Sequence, residues 1–301
     1  MNATDILRVA LPVPLPQLFD YLPASDGAAA VPGCRVLVPF GPRRLVGVVV
    51  ETAAESTLSR ARLQSVRRVL DDGRPLLDDG LLDLLRWCWQ YYKHAPGDVV
   101  ATALPPALRT ARGRLPDPPQ QSRLTDAGRA RLGEPPGRAK VQHAMLEALA
   151  DGPQPPAGLT AIGSQWRRTL ALLIEQDWVE PEPLALLRPQ PAPGPELTAE
   201  QAAALKAILG AGDGYRCHLL DGITGSGKTE VYMCLLERVL AEGGQALVLV
   251  PEIGLTPQLL RRFAQRLGLE PVAIHSGLAA GERLAAWEAA RSGRAPLLVG
   301  T

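Results

Sequence analysis

Eight consecutive residues, Gly222, Ile223, Thr224, Gly225, Ser226, Gly227, Lys228 and Thr229, spell Gly-x-x-x-x-Gly-Lys-Thr. This is the loop whose backbone amides wrap the phosphates of a nucleoside triphosphate. It works only where a buried strand ends and a helix begins, so that free amides and the helix dipole both face the anion. Residues 217–220, Cys-His-Leu-Leu, supply an apolar run suited to the strand, and 230–241 set Val231, Leu235, Val239 and Leu240 at helical spacing. Each residue type has a physical reason to be there. Gly222, Gly225 and Gly227 permit close approach and positive φ. Lys228 is placed to reach the β- and γ-phosphates, and the Thr229 hydroxyl to ligate the magnesium that bridges them. The chain has four lysines, Lys93, Lys140, Lys206 and Lys228, and otherwise draws its positive charge from arginine. A lysine in this slot is therefore hard to dismiss as background.

Downstream, apolar runs at 246–250, 272–274 and 297–299 alternate with helical patterns at 257–267 and 281–292. Strand-helix alternation with short connections predicts a parallel sheet covered by helices on both faces. Proline-rich stretches at 115–119 and 181–195 read as linkers, because proline lacks an amide donor and fixes φ. The stretch at 152–156 reads as a loop inside a small domain. The fold class that follows is a multidomain α/β chain with a small β-rich domain, in three units at about 1–110, 120–182 and 196–301.

In the first unit, runs at 6–11, 35–38 and 45–50 predict strands, 66–70 can add another, and 76–92 read as a helix. The face expected to be buried on that helix carries Leu77, Leu81, Leu84, Leu85 and Cys88. Trp87, Trp89, Tyr91 and Tyr92 crowd its end; packing against the sheet is expected over base stacking. In the second unit, helices at 141–150 and 164–176 followed by Trp178 and Val179 in a small strand give the layout of a winged helix. Arg167 and Arg168 are the basic residues on its second helix, so DNA contact and a structural or protein-binding role both remain open. Trp166 is expected in the core.

The net charge is +1, which leaves local basic patches open. Cys34, Cys88, Cys217 and Cys234 form no C-x-x-C pair, so neither a zinc site nor a disulfide framework is suggested; they read as buried small hydrophobes. No secretory signal or membrane span is visible, so a cytoplasmic protein without membrane partners is expected.

Further strings sharpen the reading: Leu-Thr-Ala-Glu-Gln at 197–201, Val-Pro-Glu-Ile-Gly-Leu-Thr-Pro-Gln at 250–258, His-Ser-Gly-Leu at 275–278 and Val-Gly-Thr at 299–301. Near the start stand Leu-Pro-Val-Pro-Leu-Pro at 11–16, Phe19, Asp20 and Tyr21, Gly-Cys-Arg-Val at 33–36, and Val-Pro-Phe-Gly at 38–41. Over essentially the whole chain these resemble the PriA (primosomal protein N′) family of bacterial replication-restart helicases in superfamily 2. The resemblance implies a β-rich 3′ DNA-binding domain, a winged helix and a RecA-like ATP-binding lobe, in a nucleoid-associated ATP-dependent 3′-to-5′ helicase. Its partners would be forks, nascent 3′ ends and single strands, with primosome proteins and single-strand-binding protein.

Position by position, the resemblance implies that Phe19, Asp20, Tyr21 and Gly41 belong to the pocket for a nascent 3′ end. Where the family often has a lysine, Gln64 stands here, leaving Arg62 or Arg67 to make a phosphate or sugar contact. Gln201 matches the adenine-reading glutamine, whose carboxamide can pair with N6 and N7. Pro251, Glu252, Gly254 and Thr256 match the loop that touches the single-strand backbone, and they follow an apolar strand, where open α/β sheets bind ligands. The family continues past residue 301 into an Asp-Glu-Glu-His strand, a second motor lobe and a zinc-binding cysteine cluster. The chain is therefore expected to be an amino-terminal fragment without zinc ligands, binding DNA and ATP with magnesium but with little hydrolysis or unwinding and with an exposed sheet edge. A non-enzymatic DNA-structure-binding scaffold is the competing reading. An unrelated P-loop kinase or ATPase would leave the later motifs unexplained.

Overall fold

The computed structural model describes residues 6–116, 120–135, 139–184, 191–212, 214–251 and 256–301. They form two compact units, one from the residues up to Pro116 together with those from Pro191, the other from the residues between.

The first unit begins with β1 (Ile6–Ala10), β2 (Phe19–Tyr21), β3 (Arg35–Phe40), β4 (Arg43–Ala53) and β5 (Arg68–Val69). They make an antiparallel sheet in the order β2-β1-β4-β3-β5. The run of valines in β4 lets both faces of the sheet be buried. One face gathers Leu7, Val9, Tyr21, Val36, Val38 and Val49; the other packs Ala10, Val48 and Val50 under Leu76, Leu77, Leu82 and Leu85. The register between β1 and β4 shifts between Arg8 and Val9, a bulge that sets Arg8 opposite Glu51. Gly47 is required by close approach, since a Cβ there would lie 2.5 Å from Val9 Cγ1.

Helix α1 (Asp79–Tyr91) starts where the Asp78 carboxylate accepts a hydrogen bond from the Leu81 amide at 2.8 Å. The expected face holds in part: Leu85 is buried and Leu81 packs against the core, as does Leu77 from just before the helix. Leu84 instead points to solvent, and Leu82 is buried in its place. Helix α2 (Pro96–Thr102) was not expected, although Pro96 at its first position is a start signal.

Arg35 ties this sheet to the chain that follows it. Its side chain is wholly buried; Nε and Nη2 donate to the two oxygens of Asp71 at 2.7 and 2.8 Å, and Nη2 also to the Gly113 carbonyl at 2.9 Å. Nη1 donates to the carbonyls of Leu108 and Thr110.

The second unit contains β6 (Gln120–Leu124), α3 (Asp126–Leu132), α4 (Lys140–Ala148), α5 (Pro156–Leu159), α6 (Trp166–Glu175) and β7 (Val179–Pro183). Met145, Leu146, Leu149, Leu159, Trp166 and Leu173 form its core under an antiparallel β6-β7 ribbon. The expected linker at 181–195 begins too early, because Pro181 and Pro183 belong to β7. The ribbon tolerates them for a geometric reason. Ser122 opposes Pro181, yet its amide and carbonyl bond Gln154, at 2.8 and 2.9 Å. Ser122 and Pro181 are thus a pair whose bonding groups point away from each other, and no ladder bond is lost.

The first unit resumes with α7 (Ala199–Leu209), α8 (Lys228–Ala241), β8 (Ala246–Leu249), α9 (Pro257–Leu267), β9 (Val272–Ile274), α10 (Ala280–Arg291) and β10 (Leu297–Gly300). The three strands are parallel in the order β8-β10-β9. Met233, Leu236 and Leu240 of α8 pack with Phe263 and Leu267 of α9 against Leu297 and Val299. The expectation of helices on both faces fails at β8, where Leu247 and Leu249 are exposed. The strand expected at 217–220 is also not formed: the segment pairs with none of the three strands, and Leu219 is 93% exposed. A single strand gains nothing without a neighbour to accept its amides. From α10, Leu284 and Trp287 pack against the core around Leu104 and Leu108.

Arg35→Ala should cost about 3–5 kcal/mol of unfolding free energy, because it strands the Asp71 carboxylate without its partner. Urea denaturation followed by circular dichroism measures it; a loss under about 1 kcal/mol would mean that the pair is dispensable.

Candidate functional site

Two sites are built by these elements. The first is an open cleft of about 450 Å³ on the β-rich sheet, lined by Arg8, Gln17, Leu18, Phe19, Asp20, Glu51, Thr57 and Leu58. Strand alternation explains its walls. Tyr21 turns inward while Asp20 turns toward Arg8, its cross-strand partner on β1. Arg8 Nε lies 3.6 Å from Asp20, and Arg8 Nη1 donates to Glu51 at 2.6 Å. The hydrogen bond to Glu51 raises the Arg8 pKa above its ordinary value, against partial desolvation. Glu51 also accepts from Arg86 of α1 at 3.2 Å, so an ion-pair chain runs Asp20, Arg8, Glu51, Arg86.

Of the residues expected in a 3′-end pocket, Phe19 and Asp20 line this cleft. The Phe19 ring meets Phe40 edge to face, with centroids 5.2 Å apart. Gly41 follows Phe40 in the tight turn to β4, at φ +55° with open space where a Cβ would stand. Tyr21 is different: it is buried, its hydroxyl donates to the Pro39 carbonyl at 2.8 Å, and burial pushes its pKa up to about 12. Its ring supports the strand from beneath. Gln64 is exposed, and its carbonyl accepts the Leu22 amide at 2.9 Å, tethering the end of β2. Arg8 and Glu51 were missed by sequence reasoning. The signal available was weak, two charged residues at alternating positions of apolar strands.

The second site is the phosphate loop. Gly225 and Gly227 adopt φ +85° and +80°, and Gly227 leads directly into α8. Gly222 serves by close approach, since its Cβ would lie 2.8 Å from Ser226 Oγ. Asp221 accepts the Gly222 amide at 2.8 Å. Lys228 Nζ curls back to the carbonyls of Gly222 at 2.5 Å and Ile223 at 2.9 Å. Ile223, Thr224 and Ser226 are exposed, whereas Lys228 and Thr229 are half-buried at the first turn of α8. An ammonium held over a loop of backbone amides at a helix N-terminus fits a phosphate anion.

Gln201 sits against this loop. Its Nε2 donates to the Ser226 carbonyl at 3.1 Å, and its Oε1 accepts the Thr198 amide at 2.9 Å, closing the capping box of α7. Both ends of the carboxamide are thus engaged by protein, so pairing with adenine requires these bonds to exchange. Behind the loop, Glu230 is buried against Arg266 of α9 at 3.2 Å, and Arg266 also pairs with Glu237. Pro251 is exposed just past β8, and Thr256 is exposed at the start of α9, which its hydroxyl caps. Glu252 and Gly254 lie outside the described residues. Among the cysteines, Cys34 is buried with its thiol pKa pushed up by burial, but Cys217 is exposed on the unpaired segment, contrary to expectation.

Comparison with known proteins bears on both sites. A family model for a 3′ DNA-binding domain matches residues 8–105, and one for DEAD/DEAH box helicases matches 198–301. The replication restart protein PriA of Haemophilus influenzae is 38% identical over 98% of this chain and 41% of its own length. That of Bacillus subtilis is 28% identical over 100% of this chain and 46% of its own. That of Synechocystis is 47% identical over 36% of this chain. The chain thus spans under half the length of the first two relatives. No described helix is long and apolar enough to cross a membrane.

Because Tyr21 is accommodated as the neutral phenol, the stability it contributes is complete below the ordinary tyrosine pKa of 10.0 and is lost as pH rises toward about 12. Tyr21→Phe should flatten that alkaline limb while costing about 1 kcal/mol at neutral pH for the lost bond to Pro39. Urea midpoints measured across the alkaline range read both effects.

Proposed function

Because the chain belongs to the family of the replication restart protein PriA, we propose that it serves an ATP-dependent 3′-to-5′ DNA helicase that recognises stalled forks and nascent 3′ ends and begins primosome assembly. The observation that carries this reading is the convergence of Phe19, Asp20 and Arg8 on one cleft within the region matched to a 3′ DNA-binding domain. Asp20 is oriented by Arg8 and offers an acceptor to a base edge or a terminal hydroxyl. Arg8 can meet the adjoining phosphate, and the Phe19 ring gives an apolar wall for a sugar or base. Gly41 keeps the rim low enough for close backbone approach.

ATP with magnesium would supply the free energy of phosphoryl transfer to water. The chain's own part is to hold it: amides of the loop and Lys228 for the phosphates, Thr229 for the metal, and Gln201 for the adenine. Residues 1–110 act as the DNA-binding domain, 120–182 as a winged helix, and 196–301 as part of a RecA-like lobe whose loop at 251–256 touches a single strand. Primosome proteins and single-strand-binding protein are the partners, in the bacterial cytoplasm at the nucleoid.

The 301 residues by themselves bind DNA and nucleotide rather than unwind. The unpaired segment 217–220 favours this, since it leaves the loop without a rigid strand behind it. As a DNA-structure-binding scaffold, the same chain would recruit restart partners through its first two units.

Asp20→Ala should abolish the preference for a fork with a free 3′ hydroxyl over one with a blocked end, and Lys228→Ala should remove nucleotide binding without touching that preference. Fluorescence anisotropy and nucleotide titration check the two separately. Indifference of the wild type to the block would refute the cleft assignment, and robust fork unwinding by the 301 residues would refute the assignment of a binding role.

A further inference from the structure

Helix α1 turns a second apolar stripe outward. Leu84, Trp87 and Tyr91 are 54%, 50% and 65% exposed, on the side away from buried Leu82 and Leu85, and Tyr92 joins them at 67%. Trp87 and Tyr91 are stacked, with centroids 4.8 Å apart and planes 18° from parallel, and Tyr92 stands edge-on to both. Rings so displayed cost solvation unless something covers them. Trp89 alone of the four neighbouring aromatics packs inward, against the sheet core.

The residues around the rings indicate what that cover is. The stripe ends in exposed Lys93 and His94, and Lys93 holds φ +54°, a left-handed position that glycine ordinarily fills at a helix C-terminus. Lys93 thus adds an exposed positive charge directly after the aromatic residues in the chain. The acidic neighbour Asp83 is paired to Arg86 at 3.2 Å, and Arg86 in turn reaches Glu51 in the wall of the cleft. The helix that carries the stripe is therefore tied to the cleft by the same ion-pair chain that orients Asp20. Exposed stacked rings followed by a lysine, on a helix whose Arg86 reaches the wall of a site for a strand end, are an arrangement on which single-stranded bases stack.

We propose that Trp87, Tyr91 and Tyr92 form a stacking platform for unpaired DNA bases, continuing the track of a strand whose 3′ end lies in the cleft. The choice of DNA as occupant rests on the proposed function of the cleft. The platform adds affinity without sequence preference, because every base has a face to stack, while Asp20 reads the terminus.

The test uses the 301-residue chain and an oligothymidylate of about 12 nucleotides, within the span that single-strand sites commonly cover, with either a 3′ hydroxyl or a 3′ phosphate. Joint Tyr91→Ala and Tyr92→Ala substitution should weaken binding of both oligonucleotides by at least about tenfold and leave their ratio unchanged. Joint substitution by Phe should restore wild-type affinity, which a folding defect or a lost hydroxyl contact would not. Quenching of tryptophan fluorescence on DNA addition should be largely abolished in Trp87→Phe. Unchanged affinity of the Ala pair, or quenching that survives in Trp87→Phe, overturns the platform. Asp20→Ala tests the cleft independently, through loss of the hydroxyl-to-phosphate ratio. A ratio that persists there rejects the cleft without rescuing or harming the platform.

Discussion

The Arg35 guanidinium has no access to water, and its charge is tolerable only because Asp71 and three backbone carbonyls surround it. These contacts fix more than a side chain. They pin the loop after β5, whose Asp71 and Asp72 take left-handed backbone at φ +53° and +55°, and they draw in the chain from Leu108 to Gly113. The short 3₁₀ turn Pro106–Arg109 thereby becomes a rigid seat, and α10 of the phosphate-loop region contacts that seat. The seam between the DNA-binding region and the phosphate-loop region is thus organised from a single buried cation. Hydrophobic contacts fill that seam, but they would fit several registers, whereas a guanidinium with its hydrogen bonds satisfied fits one.

A second arginine plays a comparable part behind the phosphate loop. Arg266 joins α9 to Glu230 and Glu237 of α8 and also donates to the carbonyl of Ala192. Gly194 has no room for a side chain, since a Cβ would lie 2.1 Å from Arg266 Nη2. The segment entering the phosphate-loop region is therefore clamped beside Glu230, the residue after Thr229, so the helix that presents Lys228 is braced at its back.

What the sequence revealed follows from how directly each residue's role is tied to its own chemistry. The phosphate loop was legible because its geometry demands glycine at Gly225 and Gly227, and few other residues can stand there. β3 and β4 of the β-rich sheet were legible from their valines, whereas β2, the three residues Phe19–Tyr21, has none and was not expected. The Arg8–Glu51 wall of the cleft was not legible: the two residues meet through a bulge between β1 and β4, and nothing local announces it. Helix α1 misled at its edge: with leucines on neighbouring positions, Leu84 was expected in the core, where Leu82 stands instead. The segment 217–220 has every local mark of a strand, but a strand is a relation between two segments, and its apolar composition could not supply the neighbour.

The two prolines of β7 carry one more consequence. Since Ser122 turns its bonding groups toward Gln154, the backbone groups of Pro181 and, two residues on, Pro183 point to the free side of the ribbon. That side lacks amide donors at successive outward positions. Another chain approaching edge-on would find carbonyls without the alternating donors that a growing sheet requires, and so could not add itself as a third strand. That edge of the ribbon is closed to self-templated growth by the absence of two hydrogen atoms.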